Sequence, residues 1–117
     1  MIKKTLTHIN KNKSPKMVDV LDKKISKRLA IAVGIVEFKK NTFDKISELE
    51  TSKGEVKNVA ILSGVVGAKK TSELIPLCHN IPIDNVEIKI EKNSSTNSIK
   101  VICKVSATAK TGVEMEA

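Results

Sequence analysis

The sequence predicts an α+β domain built from three aliphatic strands and two helices. Three observations carry this. Residues 28–38, 86–91 and 99–107 alternate with a period of two, and apolar side chains recur at helical spacing across residues 43–49 and 56–70. Pro76 then forbids the second helix from continuing beyond residue 75. The resulting order, strand, helix, helix, strand, strand, suits an antiparallel sheet with helices packed on one face. A chain of 117 residues is one domain at most, and one of this size buries about 65% of its unfolded surface. With two Phe and neither Tyr nor Trp, its core must be aliphatic.

Residues 1–16 are polar and lysine-rich without periodicity, which predicts a flexible leader with a solvated His8, the domain proper being residues 17–117. Residues 28–38 then alternate larger side chains (Leu29, Ile31, Val33, Ile35) with small ones (Ala30, Ala32, Gly34), so the small face can admit helices at close range. Asn41 or Thr42 is placed to cap a helix carrying Phe43, Ile46 and Leu49 and ending near Glu50. Ser52 and Glu55 match a capping box that opens a second helix. That helix runs through Val56, Val59, Ala60 and Leu62 to Lys69 and Lys70, whose charge suits the negative end of the helix dipole. Gly64 and Gly67 within it each cost about 1 kcal/mol relative to alanine. That cost predicts close approach of another backbone or a ligand along Ala60, Gly64, Gly67 and Ala68.

Residues 69–80 concentrate two lysines, two hydroxyls, a carboxylate, a thiol and an imidazole. Leu77, Cys78 and His79 fall on an irregular turn past the helix end, where a rigid element positions side chains that a loop leaves accessible. Beyond it, Val86, Ile88 and Ile90 alternate with Glu87, Lys89 and Glu91 as in a strand with one buried face. Residues 93–98 read as a hairpin loop. The return strand sets Ile99, Val101, Cys103, Val105 and Ala107 on one side, which makes Cys103 a core residue. Glu114 and Glu116 share a face if that segment is extended, forming a pair of carboxylates for proton transfer. At least one sheet edge is left without a partner.

The formal charge of +8, from 21 Lys and Arg against 13 Asp and Glu, favours an anionic partner. Single-stranded nucleic acid is disfavoured because only Phe38 and Phe43 could stack on bases. Cys78 and Cys103 form no Cys-x-x-Cys pair, so neither a zinc ribbon nor a thioredoxin-type motif is indicated, and a reducing cytoplasmic setting fits best. No stretch resembles a signal peptide or a membrane span. Cys78 and His79 lack the further spaced ligands of a metal site. His79 is better motivated as a general acid or base near an anion held by lysines. Two function classes remain at this point: an enzyme acting on a phosphorylated small molecule, and a non-catalytic phosphate- or nucleic-acid-binding basic module.

Four segments go further. They are Met17-Val18-Asp19-Val20, Lys53-Gly54-Glu55-Val56, the run from Gly67 through Lys69, Lys70, Leu77 and Cys78 to His79, and Lys110-Thr111-Gly112-Val113-Glu114-Met115-Glu116-Ala117. In this order they resemble the cyclic pyranopterin monophosphate synthase family, the C proteins of molybdenum cofactor biosynthesis. The resemblance implies a ferredoxin-like α+β fold, assembly from dimers into a hexamer, and an active site at the dimer interface. It implies a lyase that rearranges a cyclised dihydro-GTP, a purine-triphosphate-derived substrate, into cyclic pyranopterin monophosphate with release of diphosphate. Catalytic positions carried over are Lys53, His79, Glu114 and Glu116. Substrate-binding positions are Leu77, Cys78, His79, Met115 and Glu116, with Asp19, Arg28 and Lys69 as polar residues near the substrate. No cofactor and no metal ligand is implied, although magnesium is compatible with the triphosphate. Asn80 stands where the family usually has proline, Lys70 where it has arginine, and Ile61 where arginine is common. The family continues past the Val-Glu-Met-Glu-Ala segment into a helix bearing an active-site aspartate and lysine, then a last strand. The chain is therefore expected to be C-terminally incomplete, a strand short, and to have little activity alone.

Overall fold

The structure is a computed structural model that describes residues 8–53 and 55–117, the side chains of residues 49–53 and 55 lying outside the description. The elements are β1 (Ser26–Glu37), α1 (Lys40–Lys53), α2 (Glu55–Leu74), β2 (Asn85–Asn93) and β3 (Ser98–Ala109). The sheet is antiparallel throughout, in the order β1-β3-β2. It is the α+β arrangement of a ferredoxin-like core, as expected.

Register explains the faces. Val105 of β3 pairs with Ala30 of β1 and Val86 of β2, and Cys103 pairs with Ala32 and Ile88. All six therefore point to one face, toward the helices. Val105 and Val113 are fully buried and form the core with Ala68 and Ala107. Ala30, Ile81, Ile83, Val86, Cys103 and Ala117 pack around them, so Cys103 belongs to the core margin, half-buried. On the opposite face, Glu87 lies beside Lys104, and Glu91 beside Lys100, across β2 and β3.

Helix α2 packs on the β2 side of the sheet, and α1 packs against α2. Gly64 lets α2 come down on β2, since a Cβ there would run into Cδ1 of Ile88. The close approach predicted for Gly67 is not found: a Cβ there would meet nothing within 4 Å. Residues 60, 64 and 68 recur at about 40° around the helix, whereas residue 67 points some 60° away from residue 64. Ala32 and Gly34 are exposed, so among the described residues the small face of β1 is not covered by a helix. The large face of β1 is also open, with Leu29, Ile31, Val33 and Ile35 each more than half exposed. Accordingly the radius of gyration, 18.1 Å, exceeds the roughly 13 Å of a compact chain of this length.

Several boundaries differ from expectation. The first helical bond of α1 runs from Phe43 N to Lys39 O, 2.9 Å, so Lys39 and not Asn41 or Thr42 stands at the cap. The Asn41 side chain accepts from Thr42 N inside the first turn. Buried Phe43 anchors this end, and α1 continues to Lys53, past Glu50. The Ser52 and Glu55 side chains of the predicted capping box lie outside the described residues. Because α2 runs to Leu74, Lys69 and Lys70 precede its last turn, which holds no basic residue, and they do not compensate the dipole as predicted. The loop between β2 and β3 closes with Asn97 in the left-handed region at φ 50°.

Of the predicted leader, residues 1–7 lie outside the described residues, while residues 8–16 form a closed loop. Ile9 bridges Pro15, and Lys16 N donates to His8 O at 2.8 Å. The Asn10 side chain accepts from the backbone of Asn12 and Ser14. Lys13 takes the left-handed conformation that the loop requires, φ 61°. Asn and Ser-Pro turn chemistry accounts for this order without any apolar periodicity.

Candidate active site

Pro76 shapes the first wall of the site. The last α2 bond goes from Ile75 N to Thr71 O at 2.8 Å, and Cys78 N then reaches Ile75 O at 3.1 Å, turning residues 77–79 across the helix end. Thr71, buried, supports this turn by donating its hydroxyl to Gly67 O at 2.8 Å. Ser72 donates to the Asn80 side chain, 3.4 Å, so Asn80 ties the turn back to the helix.

The second wall comes from the segment after β3. Val113 inserts into the core, and Ala117 N returns to Val113 O at 3.0 Å. Residues 114–116 therefore form a turn and not the extended run that would place both carboxylates on one face. Glu116 is directed inward, 6% exposed, while Glu114 stays outside. The closed hydrogen bond and the burial of Val113 decide this, because neither is available to a free acidic tail.

The two walls meet in a pocket of about 160 Å³. Leu77, Cys78, His79, Glu114, Met115 and Glu116, all predicted from sequence, line it. The Cys78 thiol donates to Glu116 Oε1 at 3.8 Å, joining residues 38 positions apart. Burial pushes the Cys78 thiol above its ordinary pKa, and the adjacent Glu116 carboxylate pushes it further by charge and by hydrogen bonding. Cys78 is thus held as a neutral donor and not a nucleophilic thiolate. Burial alone raises the Cys103 thiol.

A second, open hollow of about 440 Å³ shares His79 and Val18 with this pocket and adds Asp19 and Lys110. Asp19 accepts from Leu21 N at 2.9 Å, an Asx turn that shapes the wall. Arg28 is placed elsewhere. Its Nε and Nη2 donate to the carbonyls of Ala109 and Lys110 at 3.3 and 3.1 Å, pinning the chain where it leaves β3 for the Glu116 turn. Lys69 is exposed on α2 and lines neither hollow. The Lys53 side chain lies outside the described residues.

Sequence reasoning missed His8, Val18, Lys23, Thr111 and Gly112 as pocket walls. His8 arrives through the closed loop of residues 8–16, whose Asn and Pro turn signals were its one visible trace. Gly112 makes room for Glu114: a Cβ at residue 112 would collide with that carboxylate. Among the described residues, no group of three or more His, Cys, Asp and Glu side chains is placed to hold a metal ion. None of the helices described is long and apolar enough to cross a membrane.

A small antiparallel α+β domain whose pocket joins an imidazole, a buried carboxylate and a thiol carries the groups that acid–base chemistry on a polar small molecule requires. A profile of the MoaC family matches residues 17–117, and the chain belongs to that family. Its sequence is 47% identical over 112 residues to a cyclic pyranopterin monophosphate synthase from Helicobacter pylori (strain Shi470), covering 96% of this chain and 71% of the relative. The synthase of the same name from Campylobacter jejuni (strain RM1221) is 43% identical over the same coverage.

Proposed function

We propose that this chain is a cyclic pyranopterin monophosphate synthase, the lyase of molybdenum cofactor biosynthesis. It converts (8S)-3',8-cyclo-7,8-dihydroguanosine 5'-triphosphate to cyclic pyranopterin monophosphate and releases diphosphate. The observation that carries the reading is the meeting of residues 77–79 with residues 114–116 in one pocket, Glu116 buried against the Cys78 thiol. Both segments belong to the motifs by which the chain resembles the family, and the names of the relatives agree. A basic module that only binds phosphate or nucleic acid has no use for a buried carboxylate facing its site.

In this reading His79 and Glu116 move protons during ring rearrangement, and Glu114 stands at the pocket mouth. Cys78 orients Glu116 by donating to it. Lys53 and Lys69 supply positive charge to the triphosphate and the departing diphosphate, Asp19 shapes the wall beside His79, and Arg28 holds the Glu116 turn in place through the Ala109 and Lys110 carbonyls. No resident cofactor is part of the reading, and magnesium accompanies the triphosphate at most.

The pocket of about 160 Å³ is below the roughly 300 Å³ at which ligand sites begin, so one chain encloses only part of a nucleotide-sized substrate. This supports a site completed by a second copy, in the dimer-based hexamer that the family resemblance implies. The exposed aliphatic row Leu29, Ile31, Val33 and Ile35 on β1 is a surface suited to such assembly. Cytoplasmic location belongs to the same reading.

The test is pterin formation from the cyclised dihydro-GTP, read as fluorescence after oxidation. Glu116→Gln and His79→Gln should each lower the rate roughly 100-fold or more, the usual contribution of a general acid or base. Wild-type rates in both variants, or steep salt-dependent binding to random duplex DNA with no preference for a purine triphosphate, would overturn the reading.

A further inference from the structure

We propose that Lys23 and Lys110 form the phosphate-holding side of the site, binding the triphosphate of the substrate while its purine-derived ring enters beside His79 and Glu116; the inference rests on the synthase reading above. Lys23 lines the smaller pocket together with His79, Glu114 and Glu116, and Lys110 lines the open hollow that shares Val18 and His79 with it. Among the described residues, each is the one lysine or arginine in the wall of its own hollow.

Topology brings the two together. Ser26, the first residue of β1, pairs with Ala109, the last of β3, so Lys23 precedes and Lys110 follows the same end of the sheet. Both backbones are fixed there. Asp19 Oδ1 accepts from Leu21 N at 2.9 Å and Lys23 N donates to Val20 O at 3.1 Å, two successive turns that set the root of Lys23. Arg28 Nη2 donates to Lys110 O at 3.1 Å and does the same for Lys110. A lysine carries a compact charge on a flexible four-carbon stem, so the place of its root, more than its rotamer in the free protein, decides which anion it reaches. Electrostatics calls for cations at this place. Glu114 and Glu116 repel a triphosphate approaching the pocket, and only positive charge within about 8–10 Å, the screening length near physiological salt, offsets them. Of the described cations that the family resemblance brings forward, Arg28 is committed to the Ala109 and Lys110 carbonyls and Lys69 lines neither hollow. Within one chain, Lys23 and Lys110 are the described cations at hand, and the hollow of about 440 Å³ gives the phosphates room beside the pocket.

The experiment compares Lys23→Met, Lys110→Met, the double variant and Lys23→Arg in the 117-residue protein. Lys89→Met is the control for net charge, since Lys89 pairs with Ile102 on the sheet face that carries Glu87 and Glu91. Calorimetric titration uses GTP and, separately, inorganic tripolyphosphate, which shares only the phosphates; pterin formation from the cyclised substrate is followed in parallel. Expected is a roughly tenfold loss of affinity for both ligands in each single Met variant, as for one charge-assisted contact, and roughly 100-fold in the double variant. Lys23→Arg should recover most of the affinity, Lys89→Met should bind like wild type, and melting temperatures should not change. A loss for GTP without one for tripolyphosphate overturns the inference, because the lysines then do not hold phosphate. Losses no larger than in Lys89→Met, losses accompanied by lowered melting temperatures, and a wild type that binds neither ligand overturn it as well. Pterin formation reports on the synthase reading separately: a wild type that forms pterin while the Met variants bind GTP unchanged removes the inference alone. A wild type that forms no pterin removes the synthase reading, and tripolyphosphate binding then decides whether the anion site stands.

Discussion

Gly64 and Gly67 lie in the same helix, three residues apart, and alanine should have opposite effects at the two. In a helix interior either replacement gains about 1 kcal/mol from backbone propensity. At residue 67 nothing lies within 4 Å of the added Cβ, so the whole gain should appear as stability. At residue 64 the Cβ would overlap Ile88 Cδ1, while Cγ1 and Cγ2 sit at ordinary distances of 3.5 and 4.0 Å. One methyl group must move, and such overpacking costs about 1–3 kcal/mol. The net for Gly64→Ala is then a loss of about 0–2 kcal/mol. Urea titration and thermal melting should therefore separate the two variants by about 1–3 kcal/mol, several degrees in Tm for a chain of this length. Ile88→Val, which removes the obstructing methyl, should cost about 0.5–1.5 kcal/mol alone. Combined with Gly64→Ala it should recover most of the loss, leaving a favourable coupling of about 1 kcal/mol. A Gly64→Ala protein melting above wild type, or zero coupling with Ile88→Val, would refute the claim that Gly64 sets the distance between α2 and β2.

Two further predictions concern the pocket. Gly112→Ala should displace the Glu114 carboxylate, a flexible side-chain end, and so leave Tm nearly unchanged while slowing pterin formation roughly tenfold or more; an unaltered rate would mean that Glu114 has no fixed place in the site. Cys78 has its pKa raised by burial and by Glu116, so the neutral thiol is the form that folding favours. Its contribution is complete below the unfolded value near 9.0 and is lost as pH rises through the raised folded value. Melting curves from about pH 8 to 10.5 should fall more steeply for wild type than for Cys78→Ser, and parallel curves would show that the thiol does not titrate differently in the two states.

Legibility in the sequence followed the range of the signal. β2 and β3 were readable because alternation over six to nine residues is a local pattern, and the end of α2 was readable because proline restricts the residue before it. The cap of α1 was misread because Asn41 and Thr42 are good caps locally, while burial of Phe43 sets where the helix begins. Gly67 was misread for a similar reason: a helical glycine advertises its cost, but only the packed direction of the helix says whether anything approaches it. Lys23 left no trace of a role, and His8 none beyond the turn residues of its own loop, since a pocket wall is defined by what lies opposite in space.

By itself, then, the sequence determined the α+β class, the strand faces, the break at Pro76 and, through short motifs, six of the side chains that meet in the pocket. These depend on backbone preferences and residue spacing, which act over a few positions. Tertiary structure decided that Glu116 turns inward while Glu114 does not, that Cys78 is a neutral donor, that Arg28 holds carbonyls at the end of β3, and that the loop of residues 8–16 brings His8 to the site. The first three depend on burial of Val113 or on hydrogen bonds between segments distant in sequence, which no local pattern encodes; the loop of residues 8–16 closes through its own bonds, and only its place in space puts His8 beside the pocket.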